Sequence, residues 1–342
     1  MDKRVTIQDV ARHAGVSITT VSRFLNERYD SMSEATRGRI EAVIKHLGYR
    51  PNALAQGLKG NRTKMVAAVV VNMSYPFCVG FMKSLNQTLS PAGYHLFVSE
   101  TAGNPDRERA IVQSLQAQRV DAMVLQTGGQ NNDLLAAIAI QMPVIFVDRK
   151  YVVPGVTNVI TNNLEASEQL AEHILEQGYR RVLYVTEQED GVHTRKERLQ
   201  GYLQACHKLS FKPWVITVDR DQDDTFDLVV KAVEDGAKKE PIAVYTGNGL
   251  LMMRLYPDLI RLGFQIPSQL GLATFDQPDW SGLVQPSLTC VGQPVDTMGA
   301  LTGEMLLQRL SKPDETASAP VPFDVKTIAS TLVLGGSTRL HR

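Results

Sequence analysis

Two short amphipathic segments near the start of the chain most restrict how it folds. Thr6 and Asp9 have the spacing of a reciprocal helix N-cap. Gly15 allows the left-handed backbone that ends a helix, and Ser17 is suited to cap the next one. Apolar residues between them recur at helical intervals, namely Ile7, Val10, Ala11 and Ala14. We therefore expect two short helices joined by a turn of about three or four residues, a helix-turn-helix.

The second of these helices buries Val21 and Leu25 and turns a polar face outward. In a helix-turn-helix, the start of the second helix enters the major groove of DNA, where short polar side chains and an arginine reach base edges. A helical hairpin inside a larger bundle is the structural alternative. The residues of this region that we expect to contact DNA are Thr6, Ser17, Ile18, Thr19, Thr20, Ser22, Arg23 and Asn26.

The segment over residues 52–59 follows an expected third helix between Ser33 and Gly48 and has a different character. Its pattern is that of a helix of about seven residues, which is marginally stable in water. Gly57 inside it lowers helix stability by roughly a further 1 kcal/mol. We therefore expect this segment to fold only against another surface.

From Met65 onward, short apolar runs alternate with segments of helical periodicity. Strands of this kind, separated by helices, indicate parallel sheets that are covered on both faces. Two successive rounds of four strands predict an α/β body of two lobes, each a doubly wound parallel sheet, around a cleft. The runs are residues 65–71, 94–98, 120–125 and 144–147 in the first round, and 181–185, 214–218, 242–245 and 270–275 in the second.

Polar and aromatic residues follow several of these runs, at the strand ends where ligands bind in open α/β sheets. Carboxylates and amides bind adjacent hydroxyls, arginine binds a carboxylate or a hydroxyl pair, and aromatic rings cover C–H faces. A sugar or sugar-acid effector site is therefore expected from Tyr75, Phe77, Asp148, Arg149, Asn248 and Asp276. As alternatives, the polar residues are loop caps or interlobe salt bridges, and the two aromatic residues belong to the core.

The balanced net charge of the chain hides an uneven distribution. Residues 1–64 contain twelve basic and six acidic residues, so the head carries +6 and the rest of the chain carries −6. Because non-specific DNA affinity follows phosphate neutralisation, a basic head on an acidic body favours DNA as the partner of the head.

The sequence lacks the motifs that are typical of several other classes of protein. The three cysteines have no pair spacing and the seven histidines form no ligand cluster, so we expect a reduced protein in the cytoplasm with no metal and no cofactor. No apolar run spans a membrane and the start is not a signal sequence, so neither a membrane protein nor an exported one is expected. There is no phosphate loop or nucleophile elbow, so we do not expect an enzyme.

The run from Val5 to Lys64 resembles the head and hinge of the LacI/GalR family of repressors. The matching pieces are TIQDVA at 6–11, AGVS at 14–17, TVSR at 20–23, LGYRPNALA at 47–55 and RTK at 62–64. The resemblance implies that two hinge segments fold together on the operator, with Leu58 wedged into the minor groove and Asn52 and Ala55 beside it.

The same resemblance has implications for the body of the chain. It implies a two-lobed fold like that of the periplasmic sugar-binding proteins and an Arg-x-x-Gly-aromatic element at 198–202 whose Arg198 contacts the effector. The family often has an aromatic residue near 219–224 at one wall of the effector site, where this chain has none. Phe226 or Trp280 is the candidate for this aromatic residue. The expected boundaries are 1–50 for the headpiece, 51–64 for the hinge, 65–162 with 292–325 for lobe 1, and 163–291 with 326–342 for lobe 2.

Together these features predict an effector-controlled repressor of a carbohydrate or sugar-acid operon that binds a pseudo-palindrome as a homodimer. A dimer is favoured over a tetramer because no heptad helix follows the last apolar run at 329–334. A cluster of basic residues, Arg149, Arg195, Lys196 and Arg198, favours a sugar acid over a neutral sugar. The alternatives are a sugar-metabolising enzyme and an activator that carry the same head.

Replacing Gly57 with alanine tests the hinge. The substitution strengthens the 52–59 helix by roughly 1 kcal/mol and should therefore make operator binding less sensitive to the effector. Operator affinity measured with and without effector reports this change. A variant that matches the natural protein in both quantities would contradict the hinge account.

Overall fold

The computed structural model describes residues 5–25, 28–30, 32–49, 62–189, 191–311 and 323–340. The chain divides into two compact units, Met1–Lys64 and Met65–Arg342. The hinge residues Asn52, Ala55, Gly57 and Leu58 lie outside the described residues, and so does Asn26 of the head.

The first unit contains the expected helix-turn-helix and a third helix. The capping box between Thr6 and Asp9 is present, and Gly15 ends the first helix with a φ of 63°. Val10, Val21 and Ile40 are fully buried and join the three helices in one small core. The helices are α1 Ile7–Ala14, α2 Ile18–Leu25 and α3 Glu34–Leu47.

The second unit begins with a lobe built on a six-stranded parallel sheet of order β11-β5-β4-β3-β1-β2. Its strands are β1 Met65–Val70, β2 His95–Glu100, β3 Ala122–Leu125, β4 Val144–Val147, β5 Thr157–Thr161 and β11 Asp324–Ile328. Its helices are α4 Pro76–Leu89, α5 Pro105–Ala117, α6 Asn132–Ala139 and α11 Val295–Leu310.

The other lobe repeats this design with the order β12-β10-β9-β8-β6-β7, parallel except for the edge strand β12. Its strands are β6 Arg181–Glu187, β7 Trp214–Val218, β8 Ile242–Thr246, β9 Leu270–Phe275, β10 Thr289–Gly292 and β12 Thr331–Val333. Its helices are α7 Asn163–Glu176, α8 His193–Lys208, α9 Asp223–Ala237 and α10 Gly249–Arg261. The expected fold class is confirmed.

Sequence periodicity did not reveal β5, β10 and β11. Thr157 and Asn158 of β5 are buried polar residues whose side chains are hydrogen-bonded, so they interrupt the apolar pattern. Strand β11 is a half-exposed edge strand. Because β11 stays in the first sheet as far as Ile328, lobe 1 extends past the expected boundary at 325.

The chain passes between the two lobes at three neighbouring places, near residues 162, 293 and 329. Thr161 donates its hydroxyl to the carbonyl oxygen of Ile328 at 2.9 Å, and the Ser330 N–H donates to Asn162 Oδ1 at 2.7 Å. These bonds join two of the crossings between the lobes.

Glycine in the 198–202 element is required by packing. A Cβ at Gly201 would lie 2.2 Å from the carbonyl oxygen of Leu164, because α8 lies directly against α7. Tyr202 beside it is fully buried and donates its hydroxyl to the carbonyl oxygen of Val182 at 2.7 Å. The glycine and the tyrosine therefore fix the position of α8, which carries Arg198.

Candidate functional site

The head presents the residues expected to contact DNA on and beside α2. Thr6, Ser17, Ile18, Thr19 and Arg23 are exposed, and the side chains of Thr20 and Ser22 are half-buried. Thr6 and Ser17 also cap helices, since the Asp9 N–H donates to Thr6 Oγ1 and the Thr20 N–H donates to Ser17 Oγ. The start of α2 therefore forms an exposed polar surface.

In the second unit, all seven residues predicted to bind the effector line one cleft between the lobes. The cavity volume of the cleft is about 40 Å³. The residues are Tyr75, Phe77, Asp148 and Arg149 from lobe 1, and Arg198, Asn248 and Asp276 from lobe 2. Arg195, one of the basic residues expected near the cleft, also lines it, whereas sequence reasoning missed Gln126, Glu187 and Gln293.

On the lobe 1 side, Gln126 holds Asp148 in place. The Val71 N–H donates to Gln126 Oε1 at 3.0 Å, which leaves the amide nitrogen of Gln126 to donate to Asp148 Oδ2 at 2.6 Å. The Cys78 thiol also donates to Gln126 Oε1, and burial raises the pKa of this thiol to about 12. Cys78 is therefore a protonated donor and not a thiolate.

Arg149 is buried beside Asp148 and has an incomplete set of partners. Its Nη1 donates to the carbonyl oxygen of Thr127 at 3.3 Å. Its Nε is buried and has no hydrogen-bond partner among the residues that the structure describes. A buried donor without a partner is costly, so this nitrogen is a candidate contact for an acceptor on a ligand.

The two aspartates occupy matching places in the two sheets. Asp148 follows β4 and Asp276 follows β9, and both strands hold the third position in their sheet. Both residues have left-handed backbones, with φ of 65° and 77°. Aspartate tolerates this strained conformation better than most residues, and such strain is concentrated at binding sites.

On the lobe 2 side, Arg198 is held rigidly. Its Nε donates to Asn163 Oδ1 at 2.8 Å, its Nη1 donates to the carbonyl oxygen of Gly247 at 3.0 Å, and its guanidinium lies 3.8 Å from the ring centre of Phe275. The remaining N–H groups are held in a fixed orientation at the cleft.

Asn248 and Asp276 also have structural roles, in agreement with the alternative that these residues are loop caps. Asn248 caps α10 by accepting from the Leu251 N–H at 3.0 Å. Asp276 Oδ2 accepts from the Gly249 N–H at 3.0 Å, and its other oxygen accepts from Gln293. Both residues line the cleft, so capping and ligand contact are compatible.

The aromatic side of the cleft differs from expectation. Neither Phe226 nor Trp280 lines the cleft, because Phe226 is buried in the lobe 2 core and Trp280 packs against Tyr256. Arg220 lies on that side, 5.6 Å from the ring centre of Tyr75. Burial raises the pKa of Tyr75, so its hydroxyl remains a donor.

Phe77 belongs both to the hydrophobic core of lobe 1 and to the lining of the cleft. It stacks on Phe81 with ring centres 5.9 Å apart and belongs to the lobe 1 core, while it also lines the cleft.

The described residues contain no cluster of potential metal ligands, and none of the described helices has the length and apolar character needed to cross a bilayer.

Family models match nearly the whole chain. Residues 6–52 match the bacterial regulatory proteins of the lacI family, and residues 63–329 match the periplasmic binding proteins and sugar binding domain of the LacI family. The chain belongs to the LacI family.

Individual relatives agree with this assignment. The regulator PtxS of Pseudomonas plecoglossicida is 32% identical over 99% of this chain and 97% of its own length. The regulator KdgR of Bacillus subtilis is 31% identical over 94% of this chain and 96% of its own length. A lac repressor dimer bound to operator and the anti-inducer ONPF has the same fold, with a TM-score of 0.81, 19% identity and coverage of 99% and 100%.

The chain is therefore a DNA-binding transcriptional regulator that responds to an effector. The lac repressor of that structure is a dimer bound to operator, and the family model over residues 63–329 is described as a sugar binding domain. The relatives named above are transcriptional regulators, so the sugar-metabolising enzyme considered from the sequence is not supported.

Substitutions at Asp276 separate its structural duty from ligand contact. Asp276→Asn keeps an acceptor for Gly249 and tolerates the left-handed backbone, so the free energy of unfolding should change by less than about 0.5 kcal/mol. Asp276→Ala leaves the Gly249 N–H unpaired and should lower it by about 1–3 kcal/mol. Urea unfolding measures both, and equal losses in the two variants would contradict the capping role.

Proposed function

We propose that this regulator is a repressor of a sugar-acid utilisation operon, with the acid bound in the cleft between its lobes. A homodimer would bind a pseudo-palindromic operator through the two α2 helices. The effector residues would be Tyr75, Phe77, Asp148, Arg149, Arg198, Asn248 and Asp276.

The unpartnered Nε of Arg149 is the observation that carries the proposal of an acid. A carboxylate of the ligand would accept from this buried nitrogen and form a charge-assisted bond. Asp148, Asn248 and Asp276 would bind hydroxyls of the same molecule. The buried Oε1 of Gln293, which has no partner among the described residues, offers a further acceptor for a hydroxyl.

Control of DNA binding would pass through the hinge. In this proposal the 52–59 segments of two subunits fold together on the operator, with Leu58 in the minor groove and Asn52 and Ala55 beside it. An effector that changes the relation between the lobes changes whether the two hinges meet. A coupling of roughly 1–3 kcal/mol would alter operator affinity about 5–150-fold.

A ligand panel with an arginine substitution tests the proposed effector. Among neutral hexoses, aldonic and ketoaldonic acids and their phosphates, an acid should raise the melting temperature and release the operator. Arg149→Lys keeps the charge but loses the nitrogen at the Nε position, and should weaken binding of that acid about 10–100-fold. Arg107→Lys, at an exposed position, is the matched control.

Calorimetric titration of each variant gives the dissociation constants. Recovery of the unchanged acid after incubation would exclude turnover. A response to neutral hexoses alone, or an Arg149→Lys variant with natural affinity for the acid, would contradict the proposal.

The dimer is proposed from the exposed edge of the first sheet. Strand β2 is an edge strand, so one side of its backbone is open to further pairing or cover. Phe97 and Val98 on it are 46% and 39% exposed, and Val79 on the adjoining α4 is 53% exposed. An apolar edge of this kind is typical of an interface between subunits.

Phe97→Asp places a charge in the proposed interface and should convert the dimer to a monomer and reduce operator affinity at least about tenfold. Sedimentation velocity measures the association state. Ile140→Asp, at a position of lobe 1 that is 81% exposed, should leave the dimer intact. A dimeric Phe97→Asp variant would place the interface elsewhere.

A further inference from the structure

The mouth of the cleft contains a compact ion cluster around Glu187. Its Oε1 lies 2.6 Å from Arg220 Nε and 2.9 Å from Arg195 Nη2. Its Oε2 accepts from the amide nitrogen of Asn248 at 2.7 Å. We call these four residues, Glu187, Arg195, Arg220 and Asn248, the Glu187 cluster.

Both carboxylate oxygens of Glu187 have hydrogen-bond or ion-pair partners, and the side chain is buried. The side chain of Glu187 is 6% exposed, compared with 19% for Arg195 and 35% for Arg220. Ion pairs in a partly desolvated place are screened less by water and salt than pairs on an open surface. Glu187 therefore holds one nitrogen of each arginine and offsets part of their positive charge.

Glu187 faces two connected spaces. It lines the interlobe cleft together with Arg149 and Arg198, and it lines the adjoining cavity at the mouth with Arg195 and Arg220. A charged ligand in the cleft therefore meets a fixed carboxylate at this end.

The charges that line the cleft are balanced in number. Three of the lining residues are arginines and three are carboxylates. Arg195 is paired with Glu187, whereas Arg149 and Arg198 form no ion pair with a carboxylate among the described residues. Asp148 and Asp276 offset Arg149 and Arg198 in number, so the formal charges of the lining residues sum to zero.

We infer that Glu187 is a specificity-determining residue that rejects phosphorylated sugars. It does so by holding N–H groups of Arg195 and Arg220 that would otherwise be free to bind a phosphoryl group, which carries about −1.5 to −2 charges at neutral pH. The rejection of phosphate concerns the cluster itself and is independent of the proposed acid effector.

The test compares Glu187→Gln with Glu189→Gln. The first keeps the size of the side chain and removes the charge that holds the two arginines. The second removes the same charge from an exposed position two residues further along the chain. Calorimetric titration uses three probes: inorganic phosphate, gluconate and 6-phosphogluconate. Circular dichroism and operator binding confirm that each variant is folded.

The natural protein and Glu189→Gln should show no measurable binding of phosphate and should bind 6-phosphogluconate at least about tenfold more weakly than Glu187→Gln does. Glu187→Gln should gain affinity for phosphate as well. The inference is overturned if Glu187→Gln gains affinity for neither phosphate nor 6-phosphogluconate, or if Glu189→Gln gains the same affinity as Glu187→Gln. It is also overturned if the natural protein already binds phosphate.

The gluconate measurement separates this inference from the proposed function. If the natural protein binds gluconate but Glu187→Gln gains no phosphate affinity, the cluster is not a charge filter and the acid effector stands. If Glu187→Gln gains phosphate affinity and no sugar acid in the wider panel binds the natural protein, the charge filter stands and the acid effector is wrong.

Discussion

The meeting of two parallel sheets at their carboxyl edges is the constraint on which the rest of the structure depends. Each sheet carries an aspartate after the strand in its third position, and both aspartates have left-handed backbones. Three neighbouring crossings, two of them joined through Thr161 and Ser330, keep these edges opposite each other. The polar groups of the cleft are thus set by two rigid sheets rather than by long loops, which favours a preorganised ligand site.

Arg198 shows how folding and ligand binding depend on the same contacts. The close approach of α8 to α7 at Gly201 places the arginine, and Asn163 and the Gly247 carbonyl then fix its guanidinium. Part of its hydrogen-bonding capacity thus joins elements of lobe 2, and the rest remains at the cleft. A ligand that engages the remaining N–H groups therefore contacts a group already bonded to two elements of lobe 2.

Much of the fold was readable because its patterns are local. The capping box at Thr6, Gly15 and the apolar spacing of the first helices predicted the helix-turn-helix, and continuous apolar runs predicted eight strands. Strand β5 was missed because buried polar residues interrupt its apolar pattern: Thr157 accepts from the distant Arg309, and Asn158 Oδ1 accepts from the Tyr151 N–H. Six of the seven ligand-side candidates were found by one rule, that residues after parallel strands gather at one edge, and Arg198 came from the family resemblance. That rule also applied to Glu187, at the end of β6, but the side chain gave no local signal of its partners.

The sequence by itself determined the order of helices and strands, the basic head and the set of polar residues that reach the cleft, since each follows from neighbouring residues and their periodicity. Only the tertiary structure decided which charges cancel. From the sequence Arg195 was expected to be a cation for the ligand, and Arg220 had no assigned role. Their pairing with Glu187 exists because the end of β6, the loop after β7 and the start of α8 converge. The strength of an ion pair depends on the distance between the two charges and on their burial, and neither quantity can be read from the periodicity of the sequence.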